Sequence, residues 1–255
     1  MSPPGDHDII TVDQFTKQAI PFTKVPGHSG SLDILVDLAK PKDHHKILDV
    51  ACGPGIVACH FAALVRSVTG IDLTPAMIAE ASKRSDELKL ENTRWQVGSA
   101  TSLPFEDNSF DIVISRYAFH HLKDPAQGMN EMIRVCKSGG TTLVADVALP
   151  SEKVDAYDQL ELIRDPSHTH ALSRDEFANL FTKEKLEDIV LSEYKVDIEL
   201  EEQISASFPI EGGATMIREI VRGDIDANRL GINARLEGGK VYYSVPICAG
   251  AGIKQ

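Results

Sequence analysis

The stretch KILDVACGPGIVACHFA, residues 46–62, decides the fold. It reads as a short apolar strand, a turn and a helix, and the turn is unusual: Asp49 ends the strand and Cys52, Gly53, Pro54 and Gly55 follow almost at once. Glycines suit a tight strand-to-helix turn and also let a backbone approach a small molecule closely. Four more β-branched strands follow, SVTGID, TRWQVG, FDIVIS and TTLVADV, each separated from the last by an amphipathic segment. That rhythm, from Ile47 to about Val147, predicts an α/β fold with a parallel sheet covered by helices on both faces. Ligands of such sheets collect at the carboxyl ends of the strands. Thr74-Pro75 predicts the N-cap and first position of the helix PAMIAEASKRSDELKL.

After Pro150 the alternation lapses. A helical stretch, EKVDAYDQLELIR, leads into DPSHTHALSRDEFANLF, where Ser173 and Glu176 have capping-box spacing; this reads as a cap. LEDIVLSEYKVDIEL and GKVYYSVPICAG then read as strands returning to the sheet, with an acidic helical insertion around residues 200–228 between them and a tight turn at Gly238-Gly239. The expected organisation is lid helices in residues 1–40, a ligand-binding core in 41–150, and cap insertions with returning strands in 151–255.

With 26 Lys and Arg against 38 Asp and Glu, the net charge of −12 disfavours broad contact with nucleic-acid phosphates or anionic lipid. The amino terminus, MSPPGDHDII, lacks a basic start and an apolar run, and no stretch approaches the roughly 18 apolar residues of a spanning helix. Cys52, Cys59, Cys136 and Cys248 form neither a CxxC pair nor a disulfide scaffold, so a cytoplasmic, reducing setting and no metal site are expected. The partner expected is a small molecule, not nucleic acid or membrane, and homo-oligomerisation is compatible with this composition.

Gly53-x-Gly55-x-x-Ala58 satisfies the dinucleotide fingerprint, and Asp72 stands 19 residues after Gly53, near the spacing of a ribose-binding acid. A nicotinamide-dependent oxidoreductase is therefore one reading, although no Ser/Tyr/Lys hydride-transfer set accompanies it. Asp49 favours another. A second negative charge beside the turn offers little to a pyrophosphate and much to an ammonium or sulfonium group.

ILDVACGPG, VTGIDLTPAMIAEA, VGSATSLPFEDNSFDIVISRYAFHHLKDP and EMIRVCKSGGTTLVADV occur in this order. Over about residues 13–147 the sequence thereby resembles the class I S-adenosylmethionine-dependent methyltransferases, in particular the small-molecule group that includes the ubiquinone and menaquinone C-methyltransferases. The resemblance implies a Rossmann-like, doubly wound, seven-stranded and mostly parallel sheet, and S-adenosylmethionine as cofactor. It implies that Asp49, Ala51, Gly53 and Gly55 hold the methionine portion, Asp72 the ribose hydroxyls, and Leu73 and Met77 the adenine face. Ser99 and Ala100 would meet the adenine edge, and Arg116 also belongs to the cofactor set. Ala51 stands where the family's first motif glycine falls, and Ser99 where most relatives have aspartate. From the residues alone, Asp49 reads equally as an acceptor of loop N–H groups, Asp72 as a helix cap, and Leu73 and Met77 as core.

Methyl transfer is an in-line displacement, so a protein contributes alignment and water exclusion, plus a base where the acceptor must lose a proton. His120 and His121, just past FDIVIS, are the first candidates for that base, and His168 the next; a turn-capping histidine is the plainer alternative. Arg164 could clamp a carboxylate-bearing substrate or form an ordinary ion pair with Glu161 or Asp165. Gln18 and Phe22 are candidate lid contacts and Tyr117 a candidate pocket wall. The function expected is methyl transfer to a small organic acceptor at carbon, oxygen or nitrogen; the alternative on the same fold is a non-methylating reaction such as cyclisation or dehydration.

Overall fold

The computed structural model describes residues 5–21, 30–181 and 185–255. Helices α1 (Asp6–Gln18) and α2 (Leu32–Ala39) precede the alternating region β1 (Lys46–Val50), α3 (Ile56–Ala62), β2 (Ser67–Asp72), α4 (Pro75–Glu87), β3 (Thr93–Val97), β4 (Phe110–Arg116), α5 (Pro125–Val135) and β5 (Cys136–Leu149). The remainder is α6 (Ser151–Arg164), β6 (Leu172–Ser173), α7 (Arg174–Asn179), β7 (Leu186–Glu199), α8 (Leu200–Ala206), α9 (Gly213–Gly223), β8 (Arg235–Glu237) and β9 (Lys240–Lys254).

Seven strands run β3-β2-β1-β4-β5-β9-β7, with β6 appended to β5 and β8 to β9. β1 to β5 pair in parallel, and β9 is antiparallel to both β5 and β7. The sheet is thus the mostly parallel one expected. β1 lies between β2 and β4 with Ile47, Leu48 and Val50 sealed from solvent, as a central strand covered on both faces requires.

The opening turn is shaped by packing as much as by dihedral freedom. Gly55 has φ +75°, and a Cβ there would stand 2.7 Å from the Trp95 ring and 3.0 Å from Ala81. Gly70, on neighbouring β2, would bring a Cβ within 2.4 Å of the same indole. Trp95 therefore fills the space that two missing side chains leave.

Several expected elements appear as read. Ser173 and Glu176 form both bonds of the capping box, and Gly238 and Gly239, each at positive φ, close the β8–β9 hairpin. Others differ. Thr74 occupies the N-cap position of α4 without a side-chain cap; the Asp72 carboxylate accepts the Thr74 N–H instead, because it stands one strand-end earlier and reaches the same turn. Of the two amino-terminal helices only α1 lies over the ligand-binding edge. α2 buries Leu35 and Ala39 in the core cluster, packing on β5, β9 and α3, so its apolar face makes it a core helix and not part of a lid.

Candidate functional site

The carboxyl ends of β1, β2, β4 and β5 open into two adjoining cavities of about 390 Å³ and 90 Å³. The larger holds nine of the ten expected cofactor residues: Asp49, Ala51 and Gly53 after β1, Asp72, Leu73 and Met77 after β2, Ser99 and Ala100 after β3, and Arg116 at the end of β4. Gly55 is set back from the wall, against Trp95. Phe22 lies outside the described residues.

Both candidate carboxylates bond the backbone while facing this cavity. Asp49 accepts the Ala58 N–H (2.9 Å), fixing the first turn of α3, and burial lifts its carboxyl to about 7. Asp72 accepts the N–H groups of Gly53 (2.9 Å) and Thr74 (2.8 Å), tying the β1 turn to the β2 turn, and burial raises it too. The two readings of these acids are therefore compatible: each carboxylate bonds a turn and keeps lone pairs beside the cavity. Ser99 Oγ is engaged with Thr101, so it enters the wall as part of a small hydroxyl cluster.

Backbone strain concentrates at the same edge. Ala51 (φ 53°) and Tyr117 (φ 56°) are both left-handed, at the ends of adjacent strands β1 and β4, a conformation costing an L-residue roughly 1–2 kcal/mol. The Arg116 guanidinium stacks 4.3 Å from the Tyr117 ring centroid, and Tyr117 Oη meets Tyr194 Oη at 3.1 Å on β7. Strain retained under such bracing marks a functional edge.

From α1, His7, Asp8, Thr11 and Phe15 close over the larger cavity. No apolar pattern announces His7, yet its Nε2 reaches the His121 carbonyl at 2.9 Å.

Phe15, Tyr117 and His121 line both cavities and form the wall they share. Beyond it stands His120, whose Nδ1 meets Asp146 Oδ1 at 2.6 Å while the ring faces the smaller cavity. Asp146 is fully buried three residues before the end of β5 and also accepts the N–H groups of Ala118 (2.9 Å), Phe119 (2.6 Å) and Val147 (2.7 Å). Burial works against the charged form of His120, but the Asp146 carboxylate outweighs it and raises the imidazole above its ordinary value. His121 goes the other way: burial and the neighbouring His120 push it well down, and its Nδ1 meets the Ser167 carbonyl at 2.9 Å. Adjacent histidines thus have separate parts, a carboxylate-held imidazole and a neutral part of the wall between the cavities.

The remaining candidates fall around the smaller cavity. Gln18 lines it and donates to Asp165 (2.8 Å), so it joins α1 to the cap and does not touch the larger cavity. Arg164 lines it as well, but bonded to Glu161 through Nε (2.9 and 3.1 Å) and Nη2, a pair that is buried and not at the surface. His168 lines neither cavity. Its Nε2 meets Asp158 Oδ1 at 2.6 Å, and Asp158 also accepts the Ala171 N–H (2.7 Å), which holds the 165–171 loop in place. That position makes His168 a support of the loop, not the second candidate base. Thr169 of the same loop donates Oγ1 (2.7 Å) and N–H (2.9 Å) to the His120 carbonyl.

Asp146 escaped notice in the sequence although it shares a signal with Asp49 and Asp72: an acid ending a β-branched run at a strand's carboxyl edge. Glu161 and Asp165 have no such signal, since acids are ordinary on a cap helix.

A methyltransferase domain model matches residues 48–144. The chain is 36% identical over 165 residues, 64% of its length, to an uncharacterized methyltransferase of Bacillus subtilis, YcgJ, and 39% identical over 110 residues to the demethylmenaquinone methyltransferase of Chlorobaculum tepidum. These matches span 65% and 43% of the two relatives' lengths. The crystal structure of YcgJ superposes with a TM-score of 0.80 at 29% identity, covering 89% of this chain and 98% of that one.

The cofactor of this family is S-adenosylmethionine, and the larger cavity fits it. Arg116 Nε is a buried donor with no partner among the described residues, suited to a carboxylate; Asp49 and Asp72 suit cationic and hydroxyl groups; Gly53 leaves open the space that a Cβ would enter. The strand-end acids, the turn between them and the matching model together mark residues 48–144 as a methyltransferase domain whose cavity suits S-adenosylmethionine.

Proposed function

We propose that the protein transfers a methyl group to a small organic acceptor whose reacting end enters the smaller cavity. The observation that carries this reading is the shared wall at Phe15, Tyr117 and His121, because it sets a cofactor-sized space directly beside a second space that has its own candidate base. S-adenosylmethionine, when bound, supplies an electrophilic methyl group. The chain's own contribution is alignment and exclusion of water, on the order of 7–11 kcal/mol at best. α1 covers the larger cavity, and the Gln18–Asp165 bond anchors it to the cap. His120 accepts the acceptor's proton at Nε2; Asp146 fixes the tautomer by taking the Nδ1 proton in a hydrogen bond. The four cysteines, all free and buried, support a reducing cytoplasmic setting.

The test is twofold. S-adenosylhomocysteine at saturation is expected to raise the melting temperature. Incubation with S-adenosylmethionine and candidate acceptors is expected to give products heavier by one methyl group. No thermal shift, or turnover of an acceptor without mass gain, would overturn the reading.

A further inference from the structure

The smaller cavity carries information about what enters it. Its walls are largely apolar or aromatic, with Val147, Val196, Ile198 and Ile247 beside Tyr157 and Tyr243. Arg164 is the one Lys or Arg side chain on that wall among the described residues, and it is already engaged: Nε and Nη2 bond Glu161, and Nη1 donates to Ser207 Oγ at 3.2 Å. Asp165 adds a second carboxylate, kept ionised against burial by Arg164 and by the donors Gln18 and Ser167. His120 is likewise matched by Asp146. Every full charge at this wall thus has its counter-charge or its donors in place, and an incoming anion would have to displace a buried carboxylate.

One group is left over. Gln203, 8% exposed, lines the cavity with Oε1 buried and without a partner among the described residues. A buried unpaired acceptor is costly, so a molecule that brings an O–H or N–H donor gains there. The volume sets a limit as well: an apolar cavity of about 150 Å³ accommodates benzene, and this one is about 90 Å³.

On the reading above, in which this cavity receives the methyl acceptor, we propose that Glu161 sets the acceptor's charge class: by occupying Arg164 it closes the cavity to carboxylates and phosphates. The reacting end admitted is uncharged, compact and hydrogen-bond-donating: an enol, or the hydroxylated edge of a ring whose remainder stays outside the space of about 90 Å³. Arg164 is then a structural partner of Glu161 and not the substrate clamp that a lone arginine suggests.

The experiment uses matched one-ring probes, phenol, benzoate and benzylamine, titrated into the wild-type protein saturated with S-adenosylhomocysteine and followed by calorimetry and thermal shift. Phenol is expected to bind at least tenfold more tightly than either charged probe. In Glu161→Gln the benzoate affinity is expected to rise at least tenfold relative to phenol. Arg164→Met, which removes the cation without freeing it, is expected to keep benzoate excluded, and serves if Glu161→Gln fails to fold. Benzoate or benzylamine binding the wild type as tightly as phenol, phenol failing to bind, or an unchanged ranking in a folded Glu161→Gln would each overturn the proposal. Absence of any response to S-adenosylhomocysteine would instead overturn the underlying reading of the larger cavity.

Discussion

In the larger cavity Asp49 bonds a nitrogen nine residues away and Asp72 one two residues away, whereas around the smaller cavity Gln18 reaches Asp165 across 147 residues and His121 reaches Ser167 across 46. The first is a set of local turns, each carrying its own acid, repeated at successive strand ends. The second is assembled by side chains that only the finished fold brings together, and buried charges hold it in register. The larger cavity is accordingly set by local turns, whereas the smaller one depends on contacts between segments far apart in the chain.

The largest effect is expected where the second region meets chemistry. Replacing His120 by Ala should lower kcat by roughly 10²–10⁴-fold, with cofactor affinity nearly unchanged, since His120 lines the smaller cavity alone. Single-turnover methyl transfer and calorimetry would measure the two separately. Because Asp146 raises the imidazole, and the base form is the active one, the acid limb of kcat should have its midpoint above the ordinary histidine value of 6.5. Asp146→Asn should move that midpoint down. An acid limb that stays put would detach His120 from the reaction.

Within the first region the effects should fall on stability and binding. Gly55→Ala combines a strained φ with a 2.7 Å approach to Trp95, and should cost roughly 2–4 kcal/mol in denaturant melts. Asp49 gives a pH signature. Its folded-state value is raised from 3.8 to about 7, so stability is highest while it is protonated and falls as pH rises through that interval. Asp49→Asn should therefore stabilise the protein at pH 8 by up to about 4 kcal/mol, with no gain at pH 3, while weakening S-adenosylmethionine binding. A stability gain that does not grow with pH would show that another group titrates there. The smallest effect is expected for Ala51→Gly, which relieves a positive φ but loosens the unfolded chain, for a net gain of about 0.5–1 kcal/mol.

The difference between the regions also decides what could be read from the sequence. The five parallel strands and the turn at 51–55 were legible because each is specified within a few residues of itself, whereas the nine residues that line the larger cavity were named through the family resemblance. His120 was legible by its place after a strand. Its carboxylate partner was not, because Asp146 lies 26 residues on and looks like any acid near a strand end. Arg164 was noticed, but whether it was free depended on Ser207, 43 residues away, and on an i, i+3 neighbour whose burial no local pattern reveals. His168 looked like chemistry and proved to brace a loop, since a histidine's role is fixed by what its nitrogens face.

Trp95 is the single tryptophan of the chain, and its ring lies against Gly55 and Gly70 while its Nε1 donates to Ser85 at 3.1 Å. Nature has thus put one intrinsic fluorophore directly behind the glycine turn. Any ligand that shifts that turn changes the polarity around a lone indole, so occupancy of the larger cavity can be followed by emission wavelength and quenching in unlabelled protein, on the timescale of a stopped-flow experiment.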